Sequence, residues 1–136
     1  MARSRAPSRP AAIALRDAGA DLVPGSLDDA DVLASAMAGA HGVFSVMPAD
    51  LSAENEVRHG PQVADLAAAH EVAHFVYSSG ASVGDVPTGV ARFDAKPRIE
   101  AHIRALPLAA TIVRPTILLD MLVRPGAGLD QGRGCR

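Results

Sequence analysis

The segment Phe75-Val76-Tyr77-Ser78-Ser79-Gly80 decides how this chain is read. Its first four residues have high β-propensity and make a compact strand, which two serines and a glycine then end. Upstream, Ser52 is placed to cap a helix running to about His70, which Pro61 must kink or divide. Downstream, a Gly- and Pro-containing loop runs from Ser79 to about Ala91. A helix then starts near Asp94, with Pro97 tolerated in its first turn and Ile99 and Ile103 four apart on one face. Ala110-Thr111-Ile112-Val113 is a further strand, closed by Arg114-Pro115.

The same alternation extends toward the N-terminus. Ser8 is a candidate cap for a helix with Pro10 in its first turn, stopped by Gly19, and Asp21-Leu22-Val23 reads as a strand. Asp28 or Asp29 caps a helix with Val32, Leu33, Ala36 and Met37 inward, and Gly42-Val43-Phe44-Ser45-Val46 is the next strand. Strands and helices alternating at this spacing predict parallel βαβ units, hence an α/β fold. Ligands in such sheets bind beyond the carboxyl ends of the strands. Those ends are Gly25-Ser26, Met47-Pro48, Ser78-Ser79-Gly80 and Arg114-Pro115-Thr116.

Composition narrows the function. A length of 136 residues suits one domain, and 49% hydrophobic with 21% charged residues excludes wholesale disorder. A net charge of −2 with no long basic cluster argues against nucleic acid as the main partner. No apolar run approaches the roughly 18–20 residues of a membrane span. Cys135, the lone cysteine, excludes an internal disulfide framework, and Met1-Ala2-Arg3-Ser4-Arg5 lacks a secretory apolar stretch, so a cytoplasmic location is expected. The 13 basic residues include a single lysine, Lys96.

Three groups could carry chemistry. His70-Glu71-Val72-Ala73-His74 fits the H-E-x-x-H pattern of zinc hydrolases, which needs both imidazoles one helical turn apart. Here His74 runs directly into a strand, so a helix-to-strand junction is the competing reading; Asp94, Glu100 or His102 would have to supply a third ligand. Ser78 and Ser79 can hydrogen-bond a ligand at a strand end. Lys96, in the first turn of its helix, is a cation where the helix dipole disfavours one. Arg114 suits a carboxylate, a phosphate or a salt bridge, while Arg3, Arg5 and Arg9 suit a nucleotide 2′-phosphate or a solvated terminus.

From about Ala12 to Met121 the chain resembles the NmrA-like group of atypical short-chain dehydrogenase/reductases. The likeness rests on Ala14-Leu15-Arg16-Asp17-Ala18-Gly19-Ala20-Asp21-Leu22-Val23, Leu27-Asp28-Asp29, Ala38-Gly39-Ala40-His41-Gly42-Val43-Phe44, His74-Phe75-Val76-Tyr77-Ser78-Ser79, Phe93-Asp94-Ala95-Lys96, Ile99-Glu100 and Thr111-Ile112-Val113-Arg114-Pro115, in that order. It implies a Rossmann-like sheet that binds NADP or NAD, and kinship with quinone- or isoflavone-type reductases and redox-sensing regulators. By the same correspondence, the catalytic candidates are Lys96, which contacts the nicotinamide ribose, with Ser78 and Ser79 assisting. The cofactor-binding candidates are Met47, Pro48, Ser78, Ser79 and Lys96, joined by Arg5; no metal site is expected.

Against that family the chain reads as truncated at both ends: a partial domain over 1–123 and a flexible tail over 124–136. It contains no G-x-x-G-x-x-G string to hold a pyrophosphate; Arg92 stands where a catalytic Tyr would lie, and Ser26 where an acidic residue follows the third strand. The sheet is thus expected to be incomplete, lacking the family's first strand and Gly-rich loop, which by the family's strand order would leave Leu22-Val23 without a parallel neighbour and the strand at Val43-Phe44 with an open edge. Weak or absent cofactor binding is therefore expected. The alternatives are a non-catalytic interaction or regulatory module, pairing with itself or a partner protein through that edge, and the zinc hydrolase.

Overall fold

The computed structural model describes residues 10–48, 51–81 and 86–116, together with the backbone of residues 2–4. The described elements alternate in the order β1 (Ala2–Ser4), α1 (Pro10–Asp17), β2 (Leu22–Pro24), α2 (Ala30–Met37), β3 (Gly42–Val46), α3 (Ala53–Ala69), β4 (His74–Ser78), α4 (Ala91–Ala105) and β5 (Ala110–Val113). Every strand pairing is parallel: β1 with β2 in one sheet, and β3-β4-β5 in another. This is an α/β, Rossmann-like architecture. The proposed tail and the Ser8 cap lie outside the described residues.

Local chemistry explains most boundaries. Asp29 caps α2 by accepting from the Val32 backbone N–H at 3.1 Å, and Ser52 caps α3 by accepting from that of Asn55 at 3.2 Å. Gly39, with φ of 72°, lets the chain leave α2 in the left-handed region.

Three expectations need correction. Leu22 and Val23 do have a parallel neighbour, because Ala2 and Arg3 lie opposite them. Three residues of extended chain supply that ladder, although Ala2-Arg3-Ser4 carries no run of β-formers. Pro61 does not divide α3, which is one helix of 17 residues. An interior proline costs about 3 kcal/mol. Here the buried stripe of Glu56, His59, Gly60, Val63, Ala64 and Ala67 holds the helix together across it.

The third correction concerns α4, which begins at Ala91 rather than near Asp94. The Asp94 carboxylate reaches back instead, accepting from the Thr88 backbone N–H, the Thr88 hydroxyl and the Gly89 N–H. These bonds hold its carboxyl below the usual carboxylate range, Thr88 contributing most and slight burial opposing. Pro97 and Lys96 consequently lie past the first turn, where the opposition of the helix dipole has faded.

The core forms where α2, α3 and α4 meet one face of the three-stranded sheet. Register places Val43 opposite Phe75 and Ser45 opposite Tyr77. Phe75, Tyr77, Ile99 and Ala64 are completely buried there. Gly60 sets the approach of α3 to α4: a Cβ at that position would lie 2.9 Å from both Cδ1 and Cγ2 of Ile99. The next residues along β3 lie on the other face, so Phe44 and Val46 are 66% and 59% exposed. β3 has β4 on one side and no strand among the described residues on the other.

Candidate functional site

The parallel register aligns Val46, Ser78 and Val113 across the sheet. The residues that follow them, Met47, Ser79 and Arg114, therefore emerge at one edge. Ser79 N–H donates to the Val113 carbonyl at 2.8 Å, and Ala81 N–H to that of Pro115 at 3.1 Å, so the ladder continues into the loop after β4.

Lys96 reaches this edge from α4. Its stem passes Gly80, where an added Cβ would lie 4.0 Å from Lys96 Cγ. Its ammonium donates to Glu56 Oε1 and lies 5.7 Å from the centre of the Tyr77 ring. Glu56 is buried, as is Tyr77, whose hydroxyl has no hydrogen-bond partner among the described residues. Burial, followed by the charges of Glu56 and Glu100, pushes the Tyr77 phenol well above its ordinary range.

Beside this pair lies a second buried carboxylate. Glu100 Oε1 accepts from the Ser79 hydroxyl at 2.6 Å and from Arg114 Nε at 3.0 Å. Its Oε2 accepts from Arg114 Nη2 at 2.6 Å and Arg104 Nη2 at 2.7 Å. The guanidinium of Arg114 thus grips the carboxylate with two parallel bonds. Burial alone would raise the Glu100 pKa, but the bonds from Arg114, Ser79 and Arg104 outweigh it and hold it at about 2. Of the two roles open to Arg114, the structure displays the salt bridge. The Ser79 hydroxyl is likewise engaged inside the protein.

Met47 and Pro48 stand at the β3 end of that edge. They line a cavity of about 660 Å³ between β2 and β3, with Val23, Leu33, Met37 and Val43 among its other walls. Ser45 also lines it, and its buried Oγ has no hydrogen-bond partner among the described residues. Lys96, Ser78 and Ser79 are not among the lining residues. The candidates thus fall in two neighbouring places: Ser79 and Lys96 at the end of β4, Met47 and Pro48 at the end of β3. Ser78 is half-buried at the last position of β4, and Arg5 lies outside the described residues.

The geometry required for the zinc reading is not found. Helix α3 ends at Ala69, Glu71 adopts a left-handed φ of 52°, and His74 is already in β4. His74 Nε2 lies 2.9 Å from Thr111 Oγ1, and His102 pairs with Asp65. Among the described residues no group of three His, Cys, Asp or Glu side chains could hold a metal ion.

Sequence reasoning missed Glu56, and a signal for it existed. Positions 56, 59, 60, 63, 64 and 67 form the buried stripe of α3, so Glu56 is an acid at a core position. Such a residue demands a buried cation, and the chain has a single lysine.

The NmrA-like family model matches residues 1–133, nearly the whole chain. The chain belongs to the NmrA-like family. Solved structures agree on the fold. The triphenylmethane reductase of Citrobacter sp., solved in complex with NADP(H), superposes with a TM-score of 0.71 at 18% identity, over 83% of this chain and 39% of that one. A short-chain dehydrogenase/reductase superfamily protein from Agrobacterium tumefaciens with bound NAD gives 0.58 at 21% identity, over 83% and 47%. This NmrA-like chain therefore spans less than half the length of either protein. No helix among the described residues is long and apolar enough to cross a membrane.

A nicotinamide dinucleotide would need hydrogen-bond donors for its ribose and a cradle for its phosphates, and the described residues of this NmrA-like chain differ in what they offer to each. An ammonium beside Gly80 has donors to spare for a ribose diol, and among the described residues a Cβ at Gly80 would come near Lys96 Cγ alone, at 4.0 Å. No glycine-rich turn before a helix supplies a phosphate cradle among the described residues.

Proposed function

We propose that this chain contacts NADPH or NADH through the nicotinamide ribose, as part of an NmrA-like reductase or redox-sensing protein. The observation that carries the reading is the single lysine, held by Glu56 at the carboxyl end of β4. Ligands in parallel α/β sheets bind at that end. With a phosphate cradle lacking among the described residues, the affinity is weak, and the nicotinamide half carries it. Under this reading Lys96 orients the ribose, and Ser78 lines the same strand end. Ser79, bonded to Glu100, braces the loop that Lys96 passes.

Saturation-transfer NMR with NADPH tests this. Transfer to the nicotinamide and its ribose is expected to exceed transfer to the adenine, and Lys96→Met is expected to weaken it about tenfold, the loss of one charge-assisted hydrogen bond. Equal transfer along the whole nucleotide, or none, sinks the reading. Micromolar affinity in calorimetry would overturn the expected weakness.

A second reading is an interaction module that pairs through β3. It is favoured by one observation: a β3 edge with no neighbouring strand among the described residues, whose Phe44 and Val46 side chains are 66% and 59% exposed. Size-exclusion chromatography with light scattering is then expected to give a dimer or larger species that Val46→Lys returns to monomer. A wild-type monomer counts against it.

A further inference from the structure

We propose that Glu56 is the positioning residue for Lys96. From α3 its carboxylate fixes the ammonium of α4 over the Tyr77 ring and leaves two N–H donors for a ligand. The ligand part of this inference, a vicinal diol of the nucleotide ribose, rests on the function proposed above; the positioning does not.

Three observations converge. Glu56 sits on the buried stripe of α3, with only 4% of its surface exposed, where an apolar residue would pack without cost. A buried ion pair adds little to stability, because desolvating the charges offsets their attraction. What such a pair provides is a fixed geometry. Lys96 is the opposite partner in this respect: Glu56 grips its ammonium from within, while 16% of the side chain stays exposed. The grip also comes from two elements at once. Glu56 holds the charge from α3, while the face of Tyr77 on β4 lies beneath it. A long lysine left free would lose rotamer entropy on meeting a ligand, whereas one already held loses little.

The single lysine makes the test direct. In uniformly ¹⁵N-labelled protein at neutral pH, the side-chain ammonium spectrum is expected to show one Nζ signal, protected by its bond to Glu56. Glu56→Gln keeps the shape and removes the charge. It is expected to abolish that signal through solvent exchange. It is also expected to raise the rate at which an acylating reagent modifies Lys96, followed by peptide mass spectrometry, about tenfold. Glu56→Asp retains the charge on a shorter stem and is expected to recover part of both effects, which a merely space-filling role would not predict.

An unchanged signal and an unchanged labelling rate in E56Q overturn the proposal. If E56Q does not fold, the wild-type signal decides: an Nζ that exchanges as fast as a free lysine overturns it equally. The two readings separate cleanly. Loss of NADPH contact in wild type with a freed Lys96 in E56Q refutes the ligand and supports the positioning. NADPH contact that depends on Lys96, with E56Q silent, refutes the positioning alone.

Discussion

Glu100→Ala is expected to cost about 3–5 kcal/mol, the usual loss when one partner of a buried ionic cluster is removed. Domains of this kind are stable by only about 5–15 kcal/mol, so this one change would remove a large share of that margin. The loss has identifiable sources. Arg114 and Arg104 are 43% and 55% exposed and can turn to water, so neither is the main casualty. The Ser79 hydroxyl is buried and would lose its acceptor, and a cavity would open between α4 and the end of β4. Arg104→Ala, which removes one partly exposed donor, is expected to cost less than about 1 kcal/mol.

The same cluster sets an acid limit. The folded-state pKa of Glu100 is about 2, against an ordinary 4.5. A depressed folded value means its stabilisation is complete above about pH 4.5 and is lost as the pH falls toward 2. A shift of this size corresponds to about 3 kcal/mol. Urea midpoints measured across that window should fall for the wild type and stay flatter for Glu100→Gln. A Glu100→Ala variant as stable as wild type, or a wild-type midpoint that ignores pH between 4.5 and 2, would contradict the assignment.

How much of this was legible in the sequence depends on whether the deciding interaction was local. The strand at Phe75–Ser78, the Ser52 cap, a cap at Asp28 or Asp29 and the strand at Ala110–Val113 follow from neighbours a few residues apart, and they stand, Asp29 being the one that caps. Asp94 shows where local reading misleads. A start near Asp94 puts Pro97 in the first turn, yet the Asp94 carboxylate closes the preceding turn at Thr88–Gly89 and the helix has already begun. Of the two effects expected of Pro61, a kink or a division, the division does not occur, because α3 packs as one helix on α4 and the sheet. Strand β1 was overlooked because its partner, not its composition, makes it a strand.

The site divides in the same way. The position of Lys96 near a strand end was readable from the order of elements. Its anchor, Glu56, is 40 residues away in sequence and joined to it only by the packing of α3 on α4. The dipole argument that first marked Lys96 loses its force once α4 starts at Ala91. What distinguishes Lys96 is a buried carboxylate on another helix.

The sheet offers a comparison within one residue type, and it yields the other large effect. Phe75 and Phe44 lie on neighbouring strands, offset by one residue in register: Phe75 is opposite Val43 and Phe44 is opposite Val76. That single step sends their side chains to different faces. Phe75 is completely buried among the core residues, whereas Phe44 is 66% exposed. Phe75→Ala is expected to cost about 3–5 kcal/mol, from lost burial and from a cavity that completely buried neighbours such as Tyr77 and Ile99 cannot readily fill. Phe44→Ala is expected to change the stability of the monomer by no more than about 0.5 kcal/mol. Thermal or urea unfolding of the two variants at equal, low concentration measures the difference. Equal losses would mean that Phe44 is covered in solution. Pairing through the β3 edge would then be the first explanation to test, because an edge strand that buries its outward face in a complex couples stability to protein concentration.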